Sequence, residues 1–199
     1  MPVLGITGGV ATGKTSFSTK VWLPLGADRF DSDAFARTLV DQDPAVREQI
    51  AARLGHVFLP DGSLNRAALR ERVFRNESDR LALQQILHPR IRARWTALAQ
   101  QARDAGRWLV VDIPLLFETR AESHFDRIVA VGCSAEIQRR RLLDIRGLNE
   151  EIAAGMIAAQ LDLKTKMDRA HHAVWNGSSL AHLREQALLL AHYLLSVYG

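Results

Sequence analysis

Gly8-Gly9-Val10-Ala11-Thr12-Gly13-Lys14-Thr15 follows the pattern GxxxxGK[ST], whose residue types suit a polyphosphate. Glycine tolerates positive φ, so a loop of this composition can turn successive backbone N–H groups toward phosphate oxygens. A helix starting at the loop's end adds its partial positive charge. On this reading the ATP contacts come from Gly9, Val10, Ala11, Thr12, Gly13, Lys14, Thr15 and Ser16. Lys14 is expected to reach the β and γ oxygens and follow the charge as it moves. Thr15 offers a hydroxyl to Mg²⁺, and Ser16, also a first-turn helix residue, extends the donors to the α-phosphate.

Such a loop serves kinases, GTPases and motor ATPases alike, so other residues must choose among them. No Asn-Lys-x-Asp string for reading guanine occurs, and 199 residues leave little room for the modules of a motor. A kinase needs a carboxylate for the acceptor hydroxyl and arginines over the transferring phosphate. Asp31 and Asp33 stand where a second short strand ends, beside the loop, and one of them is the candidate base; both could also serve to cap the following helix. Asp112 ends another apolar run as a Walker-B aspartate would, so Asp112 or Asp33 is expected to hold Mg²⁺ through water. Arg139-Arg140-Arg141 with Arg146 forms a basic cluster on a helix and its turn. Neighbouring positions on a helix point apart, so only some of these can reach one ligand. The adjacent His171-His172 would face opposite ways on a strand, which argues against a metal pair.

These residues need particular elements to hold them. Val3 to Thr7 reads as a strand entering the loop, and Thr15 to Trp22 as the helix leaving it. Further strands are expected at 27–30, 108–113, 127–132 and 172–175; the second and third of these are nearly continuous apolar runs of the kind expected for buried parallel strands. Between the second and third lie only helical patterns: 34–40, 44–54, 67–74 after a Pro60-Asp61-Gly62 turn and an Asn65 cap, and 78–105 with a kink or restart at His88-Pro89. Helices are also expected at 135–144 and 149–161, and a last one after a cap at Ser178 or Ser179. The expectation is an α/β fold, a parallel five-stranded sheet between helical layers, carrying a helical insertion.

Composition narrows the partners. The formal charge of +4, mostly from arginine, suits anionic ligands. No apolar run is long enough for a bilayer, and no charged-then-apolar leader opens the chain, so a cytoplasmic protein is expected with no membrane, nucleic-acid or obligate protein partner. Cys133, the only cysteine, rules out an intrachain disulfide and is expected to be buried packing.

Gly5-Ile6-Thr7-Gly8-Gly9-Val10, Asp31-Ser32-Asp33-Ala34-Phe35-Ala36-Arg37, Asp61-Gly62-Ser63-Leu64-Asn65-Arg66-Ala67-Ala68-Leu69, Leu87-His88-Pro89-Arg90-Ile91 and Asp112-Ile113-Pro114-Leu115-Leu116-Phe117-Glu118 occur in that order. This succession resembles the dephospho-CoA kinase family across nearly the whole chain. The resemblance implies a P-loop kinase that uses ATP with Mg²⁺ to phosphorylate the ribose 3′-hydroxyl of dephospho-CoA. It implies Asp33 as base, Lys14 and Arg141 as catalytic, and Arg141 with Arg146 on ATP. Arg37, Arg66, Leu87, His88, Pro89 and Leu115 then line the acceptor. It also implies a nucleotide core of residues 1–56, 106–136 and 168–199, a substrate insertion at 57–105 and a lid at 137–167. Two departures stand out. Arg146 lies five residues after Arg141 where the family has a spacing of four, and Trp175-Asn176-Gly177 replaces the family's Asp-Asn-x-Gly turn. Another nucleoside or nucleotide kinase, or a basic protein using ATP as a switch, are the alternatives.

Overall fold

The computed structural model describes residues 2–198, with the side chains of Trp22 and Leu23 outside that description. Five strands form one parallel sheet among the described residues: β1 (Val3–Gly8), β2 (Asp28–Asp31), β3 (Leu109–Asp112), β4 (Arg127–Gly132) and β5 (His172–Trp175), in the order β2-β3-β1-β4-β5. The side chains of β1 alternate between two covered faces, which is why its sequence reads as apolar throughout. Leu4 and Ile6 enter a core with Phe17 and Val21 of α1 (Lys14–Leu25) and Leu183, Ala187, Ala191 and Leu194 of α9 (Leu180–Tyr198). On the other face Gly5 has no room for a side chain, since a Cβ there would come within 2.9 Å of both Leu116 and Phe125.

β1 is the central strand, paired with β3 on one side and β4 on the other; the chain crosses from β1 to β2 at one edge, returns to β3, and then passes to β4 and β5 on the other side. A parallel sheet opens a crevice for ligands at the carboxyl end of such a strand. The registers Ile6↔Asp112 and Asp31↔Asp112 bring both aspartates to that end of the sheet.

The chain divides into two compact units, Ser32–Trp95 and the segments on either side of it. The helical unit thus begins and ends earlier than residues 57–105. It contains α2 (Ser32–Gln42), α3 (Pro44–Leu54), α4 (Arg66–Arg75) and the first part of α5 (Glu77–Asp104). Its own core gathers Leu39, Val40, Val46, Ile50, Leu54, Val57, Leu69, Ile86 and Leu87. Asn65 caps α4 by accepting from the Ala68 N–H at 3.0 Å, as its position before an apolar run implies.

Two expectations are corrected. No restart occurs at His88-Pro89: α5 runs unbroken for 28 residues through Pro89. Proline removes the N–H that would bond the Gln85 carbonyl, a single bond in a helix of 28 residues, and Arg90 Nη1 adds a side-chain bond to the neighbouring Ile86 carbonyl at 2.8 Å. In the other unit, α6 (Ala135–Arg140) passes into a π-helical turn at Arg141–Ile145 and then α7 (Glu150–Ala158). A further helix, α8 (Leu163–Arg169), follows that the apolar pattern did not announce. It starts from Asp162, which accepts from the Thr165 N–H, and the residue it buries is Lys166. No helix among the described residues is long and apolar enough to cross a membrane.

Candidate active site

The loop between β1 and α1 is held open by having its carbonyls bonded, one after another, to side chains. Lys14 Nζ donates to Gly8 O (3.3 Å) and Gly9 O (2.7 Å), and Thr12 Oγ1 also donates to Gly9 O (2.9 Å). Gln138 Nε2 donates to Val10 O (2.7 Å), Arg141 Nη1 to Ala11 O (3.1 Å) and Asn176 Nδ2 to Thr12 O (2.8 Å). With five successive carbonyls engaged in this way, the conformation suits a nest of N–H donors continuing into the first turn of α1. Gly13, at φ 94°, could not carry a side chain, because its Cβ would stand 2.1 Å from Asn176 Nδ2. Ala11 sits at φ 58°, a left-handed conformation that costs a non-glycine residue roughly 1 kcal/mol. Val10, expected among the ATP donors, has its N–H donated to Gln160 Oε1 at 2.8 Å.

Beside the loop lies a charged cluster. Arg29 on β2 donates from Nη2 to Asp112 Oδ2 (2.7 Å) and Asp31 Oδ2 (3.1 Å), and from Nε to Ser18 Oγ (3.1 Å). Ser18, one helical turn beyond Thr15, donates to Asp112 Oδ2 (2.7 Å). Asp112 is buried, and its Oδ1 has no hydrogen-bond partner. Burial pushes its carboxyl above the ordinary 3.8, the bonds from Ser18 and Arg29 oppose that, and the charge of Asp31 adds to it. Asp33 follows two residues after Asp31 as an exposed residue in the first turn of α2.

The basic cluster separates by direction. Arg141 turns to the loop, donating also to Asn176 O at 3.3 Å. Arg139 pairs with Glu150 in the first turn of α7, and Arg146 is an exposed residue closing the π-helical turn. Val10 joins Leu142 and Ala153 in a small buried cluster, with Ala11, Leu143, Leu148, Met156 and Ile157 packed against it. Gln138 and Gln160 also line a cavity of about 660 Å³ together with Cys133, Ser134, Met167 and Trp175. Cys133 is buried packing, its thiol pushed up by desolvation. Lys166, fully buried, donates to Pro114 O (2.9 Å) and pairs with Glu118 (2.7 Å), and Glu118 Oε1 accepts from the Leu161 N–H (2.9 Å).

The family model for dephospho-CoA kinase matches residues 2–182. A dephospho-CoA kinase of Syntrophotalea carbinolica is 37% identical over 195 residues, covering 96% of this chain and 90% of that protein. The chain belongs to the dephospho-CoA kinase family. A solved Thermus thermophilus protein superposes with a TM-score of 0.78 at 26% identity, covering 100% of this chain and 98% of the other. The dephospho-CoA kinase of Campylobacter jejuni, at a TM-score of 0.68 and 24% identity over 98% and 97% of the two chains, shares the fold.

The acceptor residues expected of a dephospho-CoA kinase fall in several settings. Arg37 is exposed. Arg66, in the first turn of α4, donates to both carboxylate oxygens of Asp41 at 2.7 Å. Leu87 lies in the core of the helical unit, and Pro89 is exposed one residue beyond His88. His88 is half-buried, and burial followed by the charge of Arg92 holds its imidazole below the ordinary 6.5. Leu115, half-buried after β3, accepts from Thr119 Oγ1 through its carbonyl at 2.8 Å.

Sequence reasoning singled out Lys14, Asp31, Asp112 and Arg141. It missed Arg29, Gln138, Gln160 and Lys166 as parts of the site. A lone arginine in a short strand was the one signal for Arg29, since a charge there needs a carboxylate partner.

Proposed function

We propose that this chain phosphorylates the 3′-hydroxyl of dephospho-CoA from ATP, giving coenzyme A and ADP. The observation that carries the reading is the phosphate loop, its carbonyls bonded to side chains, in a chain of the dephospho-CoA kinase family. Asp33 accepts the hydroxyl proton, and the ribose oxygen bonds to the γ-phosphorus as the bond to the β,γ-bridging oxygen breaks. Lys14 leaves the Gly8 and Gly9 carbonyls for the β and γ oxygens, and Arg141, beside the loop, covers the phosphoryl group in transit. Arg146 gives a second positive charge on the lid, residues 137–167. Arg37, Arg66, His88, Pro89 and Leu115 contact the acceptor, whereas Leu87 shapes that region from within the core.

The residues fit Mg²⁺: Asp112 Oδ1 is buried without a partner, and Ser18 links this carboxylate to the turn that begins with Thr15. Bound there, the ion would neutralise charge on the β and γ oxygens; Thr15 would hold it directly, and Asp112 or Asp33 through water.

The test is to incubate purified protein with ATP, Mg²⁺ and dephospho-CoA and follow the product by mass spectrometry. A product one phosphate heavier that comigrates with coenzyme A is expected. Phosphorylation of a free nucleoside or monophosphate in preference to dephospho-CoA would overturn the assignment.

A further inference from the structure

Resting on the reading of the loop as a nucleotide site, we propose that Gln138 and Gln160 are positioning residues for ATP binding, acting by holding the two peptides that flank the Val10 Cα. Gln138 Nε2 donates to Val10 O at 2.7 Å, and Gln160 Oε1 accepts from Val10 N at 2.8 Å. The N–H belongs to the Gly9–Val10 peptide and the carbonyl to the Val10–Ala11 peptide, so the two glutamines hold successive peptide units, and neither unit can flip without breaking a bond. The second of these peptides leads directly into Ala11 at φ 58°, a conformation alanine does not hold unaided, so the grip stands where the loop most needs it.

The two glutamines come from opposite ends of the lid helices. Gln138 is a buried residue of α6, packed so closely that a Cβ on Gly9 would stand 2.5 Å from its Nε2. Gln160 lies just after α7, and the residue that follows it is anchored independently, by the bond from Leu161 N–H to Glu118 and the Glu118–Lys166 pair. Neither glutamine is placed here as a phosphate ligand. Each acts through the loop, and the segment 139–159 between them is fastened to the loop at both its ends.

The experiment compares full-length protein with Gln160→Met and Gln160→Glu. Both replacements border the 660 Å³ cavity, so neither meets a wall. Amide exchange at Val10 is read by NMR, ATP affinity by calorimetry, and KM for each substrate separately. A net hydrogen bond is worth roughly a fivefold to tenfold change in an equilibrium. Gln160→Met should therefore speed Val10 exchange and weaken ATP binding by roughly that factor, with the KM for dephospho-CoA unchanged. Gln160→Glu keeps an acceptor and should restore both. Faster exchange with unaltered ATP affinity overturns the positioning role, and unchanged exchange overturns the grip itself. Wild-type protein that binds no ATP would overturn the reading of the site before any substitution is compared, and the inference with it.

Discussion

Replacing Lys166 by methionine tests whether the buried pair holds α8 to the segment after β3. Lys166 is 0% exposed and Glu118 21%, so the ammonium gains little from water and depends on Glu118 and Pro114 O. Removing one partner of a buried pair costs about 3–5 kcal/mol, because the remaining charge is left uncompensated. Here the lower end applies: Glu118 keeps partial solvent access and the Leu161 N–H, and Pro114 O keeps the Thr7 hydroxyl at 3.2 Å. A loss of about 3 kcal/mol, with a urea dependence of about 2 kcal/mol per molar, moves the unfolding midpoint down by about 1.5 M. Urea unfolding followed by tryptophan fluorescence at pH 7 measures it. Lys164→Met, at the exposed pair with Asp168, is the control and should leave the midpoint in place. Equal midpoints for the two variants would refute the assignment of a structural role to the buried pair.

Lys14→Ala and Asp33→Asn should each lower kcat by about 10²-fold or more, with Asp33→Asn leaving ATP affinity largely intact; steady-state kinetics with calorimetry separates the two. Arg29→Met should destabilise the fold by about 2–3 kcal/mol at pH 7 and by less at pH 4. The folded-state value of Asp112 is raised, so the stability tied to its protonated form is present below about pH 3.8 and lost as pH rises through the folded value. Arg29 opposes that loss, and equal destabilisation at both pH values would contradict the role. His88 is shifted down, so its contribution is present above 6.5 and lost as pH falls through the folded value. His88→Gln should therefore flatten the fall in thermal stability between pH 6.5 and 5, and an unchanged slope would count against burial as the cause.

The phosphate loop was legible because glycine, lysine and threonine at fixed spacing have few other uses between a strand and a helix. The inner strands of the sheet were legible because strands covered on both faces leave unbroken apolar runs such as residues 108–111. α8 was not, because the residue it buries is Lys166, and pattern reading looks for burial among apolar side chains. The continuity of α5 was hidden by Pro89, since a long helix can lose the one backbone bond a proline removes and still run on, which spacing alone does not reveal. Gln138 and Gln160 had no sequence signal, since a side chain bonding to a distant peptide group requires no particular spacing. The Arg29 cluster was invisible for a related reason: Asp112 suggested a cation, and only the register of β2 beside β3 reveals the arginine already there.

Val10 and Ala11 occupy two of the four positions that the GxxxxGK[ST] pattern leaves unspecified. In this chain they are not interchangeable, since one is buried beside Leu142 and Ala153 and the other packs against the same cluster. A phosphate loop transplanted from another kinase would keep every residue that the pattern names and still present the wrong shapes to Leu142 and Ala153. The permissible residues at those wildcard places are dictated by the helices beyond β4, more than a hundred residues away in sequence. Recombining such enzymes by exchanging loops alone should therefore fail more often than exchanging the loop together with residues 135–160.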